Sequence, residues 1–315
     1  MKIIAPTQIR HLLEPQLPAE VSAVWIAPTL EFEGDPHGAL AYMRWWGEQD
    51  AFLYVLEQAQ QLRWVHTPSA GVDHLLVPLV FERDLMLTNS AGVHAIPMAE
   101  FVMGLLLARV KRLPDYYAAQ TERRWIGELG LSELYGATML ILGLGGIGQA
   151  LAERASAFGM RVWGSRRRNS STTPGVERVV TGDAWRTLLP DIDYLVVTAP
   201  LTAETRGMVD AAAFAAMPST AYLVNVARGP LVDEAAMIAA LRSGQLAGAA
   251  LDTFDQEPLP PEHPLWQLPQ VTITPHATAH SPRMHARQVT LFLENLARFR
   301  NGQPLLNVVD KSAGY

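Results

Sequence analysis

The chain contains no cysteine. That absence excludes disulfide bridges, zinc–thiolate centres and thiol nucleophiles together. It also has no H-E-x-x-H pair or carboxylate-rich loop for a metal, and no G-x-S-x-G turn for a nucleophilic serine. Charged residues make up only 18% of the chain and the net charge is −6. A general nucleic-acid-binding surface is therefore not expected. The most apolar run, Phe101 to Ala108, is far too short to cross a bilayer. The opening "MKIIAPTQIR" lacks the apolar core of a secretory signal and reads as a first strand, so the expected location is the cytoplasm.

What is present is apolar and regularly spaced. The 315 residues are 49% hydrophobic, enough for two domains with sizeable cores. Short apolar runs alternate with longer helical patterns, which predicts an α/β fold with parallel sheets. Strands are expected at Lys2–Ala5, Ala23–Ile26, Ala41–Trp45, Trp64–His66 and Met86–Thr88, with a helix from Glu48 to Leu62. Gly92 to Leu113 reads as a helix, with Pro97 near its start and basic residues at its end. It is apolar on nearly every face and should be buried, between domains or between subunits. A second α/β series begins with "ATMLILGLGGIGQALAERASAFGMRVWGS". Its later strands are expected at Tyr194–Thr198, Tyr222–Val226, Ala249–Thr253 and Val271–Thr274, and the tail from Arg283 to Arg300 is helical.

The second series opens on a strand, a Gly143-x-Gly145-x-x-Gly148 turn and a helix. Glycine suits such a turn because the backbone bends sharply and must approach a pyrophosphate closely. The helix N-terminus then offers free N–H groups to the anion, which marks Gly143, Gly145, Gly146, Ile147 and Gly148 as a dinucleotide cradle. About twenty residues on, where an acid would normally bind the adenosine ribose of NAD, stand Ser165, Arg166, Arg167 and Arg168. Guanidinium forks pair with phosphate oxygens and an acid would repel them, so NADP(H) is expected over NAD(H).

Three further residues directly follow strands: Arg228 in "NVARG", Glu257 in "DTFDQEP" and His276 in "TPHATAH". Ligands of open α/β sheets bind beyond the carboxyl ends of strands, where these three would converge. They suit reduction of a 2-oxo acid. Histidine gives a proton to the oxygen that gains charge, glutamate orients the imidazole, and arginine polarises the carbonyl.

Together "SAGVDHL", "GVHAIPMAEFVMGLLL", "GLGGIGQALA" and "NVARGPLVDEAAMIAALRSGQLAGAALDTFDQEPLPPEHPLWQLPQVTITPH" make the chain resemble the D-isomer-specific 2-hydroxyacid dehydrogenases. The resemblance implies two Rossmann-like domains, with a cofactor domain (93–280) inserted into a flavodoxin-like substrate domain (1–92 plus 281–315). It implies that Arg228, Glu257 and His276 are catalytic and that the backbone of Ala70, Gly71 and Val72 takes the substrate carboxylate. It gives Asp252 to the nicotinamide carboxamide and adds Pro200 and Ala227 to the cofactor contacts. It implies a homodimer formed through the cofactor domain. The missing acid at Ser165–Arg168, together with "TERRW" and "EPLPPEHPLWQ", is similar to the NADPH-dependent glyoxylate/hydroxypyruvate reductase branch. A small 2-oxo acid, bound in a cleft between the domains, is the expected substrate, with Trp45 a candidate to close over it. His66, His74 and His94 read as structural hydrogen-bonding residues. Dehydrogenases of 3-phosphoglycerate, formate or phosphite on the same fold are rivals, as is a dinucleotide-sensing corepressor-like binding protein.

Overall fold

The computed structural model describes residues 1–45, 49–167 and 172–314. The chain forms two compact units, one from Met1–His94 with Ser281–Tyr315 and the other from Ala95–His280.

The first unit holds six strands: β1 (Lys2–Pro6), β2 (Ser22–Ile26), β3 (Phe32–Glu33), β4 (Ala39–Met43), β5 (Trp64–His66) and β6 (Met86–Thr88), in the order β3-β2-β1-β4-β5-β6. All neighbours are parallel except β3, a two-residue edge strand antiparallel to β2. Without β3 the order is the 2-1-3-4-5 of flavodoxin-like sheets. Register aligns Met43 with His66 and His66 with Thr88. The residues that follow these strands therefore emerge at one edge. The C-terminal helix Met284–Arg300 packs on this sheet through Val289, Phe292 and Leu296, with Phe292 stacked on Trp64 at 5.1 Å. Its buried stripe follows i, i+4 spacing, Met284–Gln288–Phe292, and so takes a glutamine into the core.

The second unit holds seven parallel strands: β7 (Thr138–Leu142), β8 (Arg161–Arg166), β9 (Arg178–Thr181), β10 (Tyr194–Val197), β11 (Tyr222–Asn225), β12 (Gly248–Leu251) and β13 (Val271–Ile273). They run in the order β13-β12-β11-β10-β7-β8-β9. From β7 outward this is the doubly wound 3-2-1-4-5-6 pattern with a seventh strand, and strand order reverses between β7 and β10. Both faces of the central strands are buried, which explains why "TMLIL" and "YLVV" are almost wholly apolar instead of alternating. Register carries Leu142, Val197, Asn225, Leu251 and Ile273 to one level. The residues that follow them share that edge of the sheet.

The predicted helix from Gly92 to Leu113 is observed as Ala95–Val110; Arg112 then turns left-handed at φ 51°, and a second helix that the sequence did not suggest, Leu113–Thr121, follows. The first packs on helix Gly146–Ala157 through Met98, Val102, Met103 and Leu106. Its burial is one-sided, and Ile96 remains 40% exposed. Sequence reading also missed β3 and β9. No helix among the described residues is long and apolar enough to cross a membrane.

Candidate active site

The glycine turn follows β7. Gly143 is left-handed at φ 105°, and an added Cβ there would lie 2.6 Å from the Ala199 amide nitrogen. On Gly148 it would lie 2.2 Å from the Gly143 carbonyl oxygen. Both positions exclude any larger residue. On Gly145 the added carbon meets nothing within 4 Å. The space before helix Gly146–Ala157 is thus open, and no side chain caps that helix. A pyrophosphate fits this combination: uncapped N–H groups, a favourable helix dipole and no Cβ in front of them. The turn is fastened at its sides, with Thr198 Oγ1 donating to the Gly143 carbonyl at 2.7 Å. Pro200, two residues on, accepts from Thr205 Oγ1 at 2.7 Å.

Ser165, 7% exposed, accepts from the Gly143 and Leu144 amides at 3.1 and 2.9 Å, so the end of β8 lies against the glycine turn. Arg166 is the last residue of β8, and its guanidinium donates to Thr173 Oγ1. Arg167 follows, exposed. Arg168, and Trp46 in the other unit, lie outside the described residues.

Arg228 follows β11 on a turn that Asn225 builds. The Asn225 amide donates to the Arg228 carbonyl at 2.9 Å and accepts from the Ala227 amide at 3.1 Å. Arg228 Nη1 in turn donates to the Ala227 carbonyl at 2.8 Å. Gly229 lets the next loop approach, since a Cβ there would lie 2.1 Å from the Phe254 carbonyl carbon. That loop carries Glu257. One Glu257 oxygen accepts from the Phe254 amide at 2.9 Å, and the other is 2.8 Å from His276 Nδ1. The pair is reachable from solvent, with side chains 36% and 45% exposed.

His276 lies in the loop after β13 with φ at 52°, a conformation uncommon for a residue with a Cβ. Asp252 at the end of β12 holds it there. The Asp252 carbonyl accepts from the His276 amide at 2.9 Å. One carboxylate oxygen accepts from Thr274 Oγ1 and the Ala277 amide at 2.5 and 2.9 Å, the other from the Thr278 amide and hydroxyl at 3.1 and 2.6 Å. Asp252 is 1% exposed, and a buried charge of this kind is tolerable because its acceptor sites are filled. The resemblance gives this carboxylate to a nicotinamide carboxamide; here the His276 loop occupies both of its oxygens.

In the first unit, Ala70, Gly71 and Val72 follow β5. The loop is fixed through its carbonyls. Ser90 Oγ donates to Thr67 O at 2.9 Å, the Ser90 amide to Ser69 O at 3.0 Å, Asn89 Nδ2 to Ala70 O at 2.8 Å, and Ser69 Oγ to Gly71 O at 2.7 Å. These hydrogen bonds engage the carbonyl side of the loop. His66 lies beneath it, fully buried, with Nδ1 2.8 Å from Thr88 Oγ1 and Nε2 3.2 Å from Ser90 Oγ. Burial pushes its pKa down to about 3, so it is the neutral imidazole. A single direction of donation then satisfies the chain, from Trp64 Nε1 through Thr88, His66 and Ser90 to the Thr67 carbonyl. Trp45, two residues past β4, is half-buried and meets His285 edge-on at 4.9 Å. Sequence reading missed Asn225, Asn89 and Ser90, although an Asx or Ser directly after an apolar run is a turn-building signal.

Comparison with known proteins agrees with this fold. Residues 103–278 match the model of the D-isomer specific 2-hydroxyacid dehydrogenase NAD binding domain. A glyoxylate reductase from Korarchaeum cryptofilum is 36% identical, over 82% of this chain and 79% of that one. A D-isomer specific 2-hydroxyacid dehydrogenase from Xanthobacter autotrophicus Py2, solved with NADPH and MES, superposes with a TM-score of 0.86 at 32% identity, over 100% and 99% of the two chains. An NADPH-dependent glyoxylate/hydroxypyruvate reductase from Sinorhizobium meliloti, solved with NADP and sulfate, gives 0.85 at 30%, again over 100% and 99%. The doubly wound sheet, the glycine turn and these likenesses lead to one conclusion: the chain belongs to the D-isomer specific 2-hydroxyacid dehydrogenase family, an oxidoreductase family.

Proposed function

We propose that the protein reduces a small 2-oxo acid, glyoxylate or hydroxypyruvate, with NADPH to the 2-hydroxy acid, in the D configuration where the product is chiral. The His276–Glu257 pair, held at 2.8 Å beyond the carboxyl ends of the sheet that carries the glycine turn, is the observation on which this rests. When bound, a reduced nicotinamide supplies a hydride to the substrate's C2. The carbonyl oxygen then takes a proton from His276 Nε2, while Glu257 at Nδ1 fixes the ring. Arg228 polarises the carbonyl and, with the amides of Ala70, Gly71 and Val72, holds the carboxylate. Trp45, with His285 against it, limits the size of the group beyond C2. The preference for NADPH rests on the absence of an acid at Ser165 and on Arg166, Arg167 and Arg168 after it, and two solved relatives carry NADPH or NADP. We also read the protein as a homodimer, because Ile96, Tyr117 and fully exposed Trp125 leave apolar surface on the cofactor unit. Sedimentation should give twice the chain mass.

The mechanism is tested by His276→Ala. Turnover should fall by about 10²–10⁴-fold while NADPH binding persists. Full activity in that variant would end the mechanism.

A further inference from the structure

Every carbonyl of the Thr67–Gly71 loop accepts a hydrogen bond: Ser69, Asn89 and Ser90 serve four of them, and Pro68 is served by other residues. The Pro68 carbonyl takes two side-chain donors, His94 Nε2 at 2.9 Å and, from 220 residues along the chain, Gln288 Nε2 at 3.0 Å. His94 is the last residue before the chain leaves the first unit, and Gln288 lies in the first helix after it returns at Ser281. Both are buried, at 4% and 0% exposure. Gln288 is costly where it stands. It interrupts the apolar stripe between Met284 and Phe292, and its Oε1 is buried with no hydrogen-bond partner among the described residues. Asn295, the other buried polar residue of this stripe, is by contrast paired at both ends with Leu306, at 3.0 and 2.7 Å. Among the described residues the Gln288 side chain makes one hydrogen bond, to the Pro68 carbonyl.

We infer that His94 and Gln288 are positioning residues for recognition of the substrate carboxylate. They act through the Pro68 carbonyl, fixing the peptide planes that follow so that the amides of Ala70, Gly71 and Val72 present together. The inference rests on the proposed role of those amides, and it concerns substrate affinity, separate from proton transfer at His276.

The test uses Gln288→Met, which keeps length and removes the donor, His94→Phe, and His94→Gln, which restores an N–H. In Gln288→Met and His94→Phe the KM for glyoxylate and the Kd of the unreactive analogue oxamate, measured with NADPH bound, should rise about tenfold. Saturated kcat should stay within about twofold, NADPH affinity should not change, and His94→Gln should recover most of the loss. Amide hydrogen exchange of residues 67–75 should quicken in both weakened variants. Unchanged KM, oxamate affinity and exchange in folded Gln288→Met and His94→Phe would overturn the inference. In the wild type, oxamate with NADPH should protect the Ala70–Val72 amides. Failure of that protection would instead overturn the underlying carboxylate role. If Gln288→Met does not fold, the His94 pair decides the question alone.

Discussion

Two loops do the proposed chemistry, and they are braced in opposite ways. The loop that carries His276 hangs on carboxylates: Asp252 takes four donors from it, and Glu257 takes the imidazole itself. The Thr67–Val72 loop hangs on hydroxyl, amide and imidazole donors from Ser90, Asn89, Ser69, His94 and Gln288. The difference follows from what each loop must present. A proton donor is favoured by nearby negative charge, which stabilises the imidazolium. A carboxylate-binding set of amides is weakened by it, since the same charge repels the ligand. The bracing of each loop is thus matched in sign to its cargo.

Exchanging the signs should break the match. Asp252→Asn removes two acceptor sites and the charge while keeping size. It should cut kcat about a hundredfold through a misplaced His276, with NADPH affinity changed by less than about fivefold. Steady-state kinetics with calorimetric NADPH titration would show this, and an unaltered kcat would mean that the loop holds without its carboxylate. Replacing Arg166 and Arg167 together with alanine should weaken NADPH by about 10–100-fold and NADH by far less, as loss of charge-assisted phosphate contacts requires. Equal losses for both would remove the arginine cluster from cofactor choice. Asn89→Asp puts a negative charge beside the amide loop and takes a donor from the Ala70 carbonyl. KM for glyoxylate should rise about tenfold and kcat little. An unchanged KM would contradict the need for neutral bracing.

The last prediction concerns stability. His66 has a folded pKa of about 3 against an ordinary 6.5, so below 6.5 the unfolded chain binds a proton that the folded one refuses. Stability from this group is full above pH 6.5 and declines as pH falls toward 3, by up to about 1.4 kcal/mol per pH unit. Urea unfolding at pH 7 and pH 5 should show a shallower decline in His66→Gln than in the wild type. Parallel declines would assign the effect to other groups.

Much of this was readable in the residues before any coordinates. The apolar runs that end at Gly143 and Asp252 placed those groups at strand ends, because fully buried parallel strands stay almost wholly apolar until they leave the sheet, and Arg228 and His276 follow their strands within three residues. Shorter features were lost. Charged residues hide β9 in "VERVVTG", and two residues of β3 make no periodic pattern. The break at Arg112 depends on a backbone angle that its residue type does not announce. The bracing of the Thr67–Val72 loop was least legible, since its donors are separated from it by up to 220 residues of chain. Even so, Gln288 between Met284 and Phe292 was a polar residue at a core position, which is a signal worth reading.

The central claim is tested most directly by NADPH oxidation with glyoxylate, hydroxypyruvate, pyruvate and a bulky aryl 2-oxo acid, each repeated with NADH. Rapid turnover of glyoxylate or hydroxypyruvate, faster with NADPH and poor with the aryl acid, is the predicted result. No turnover of any of the four by protein that binds NADPH tightly would contradict it.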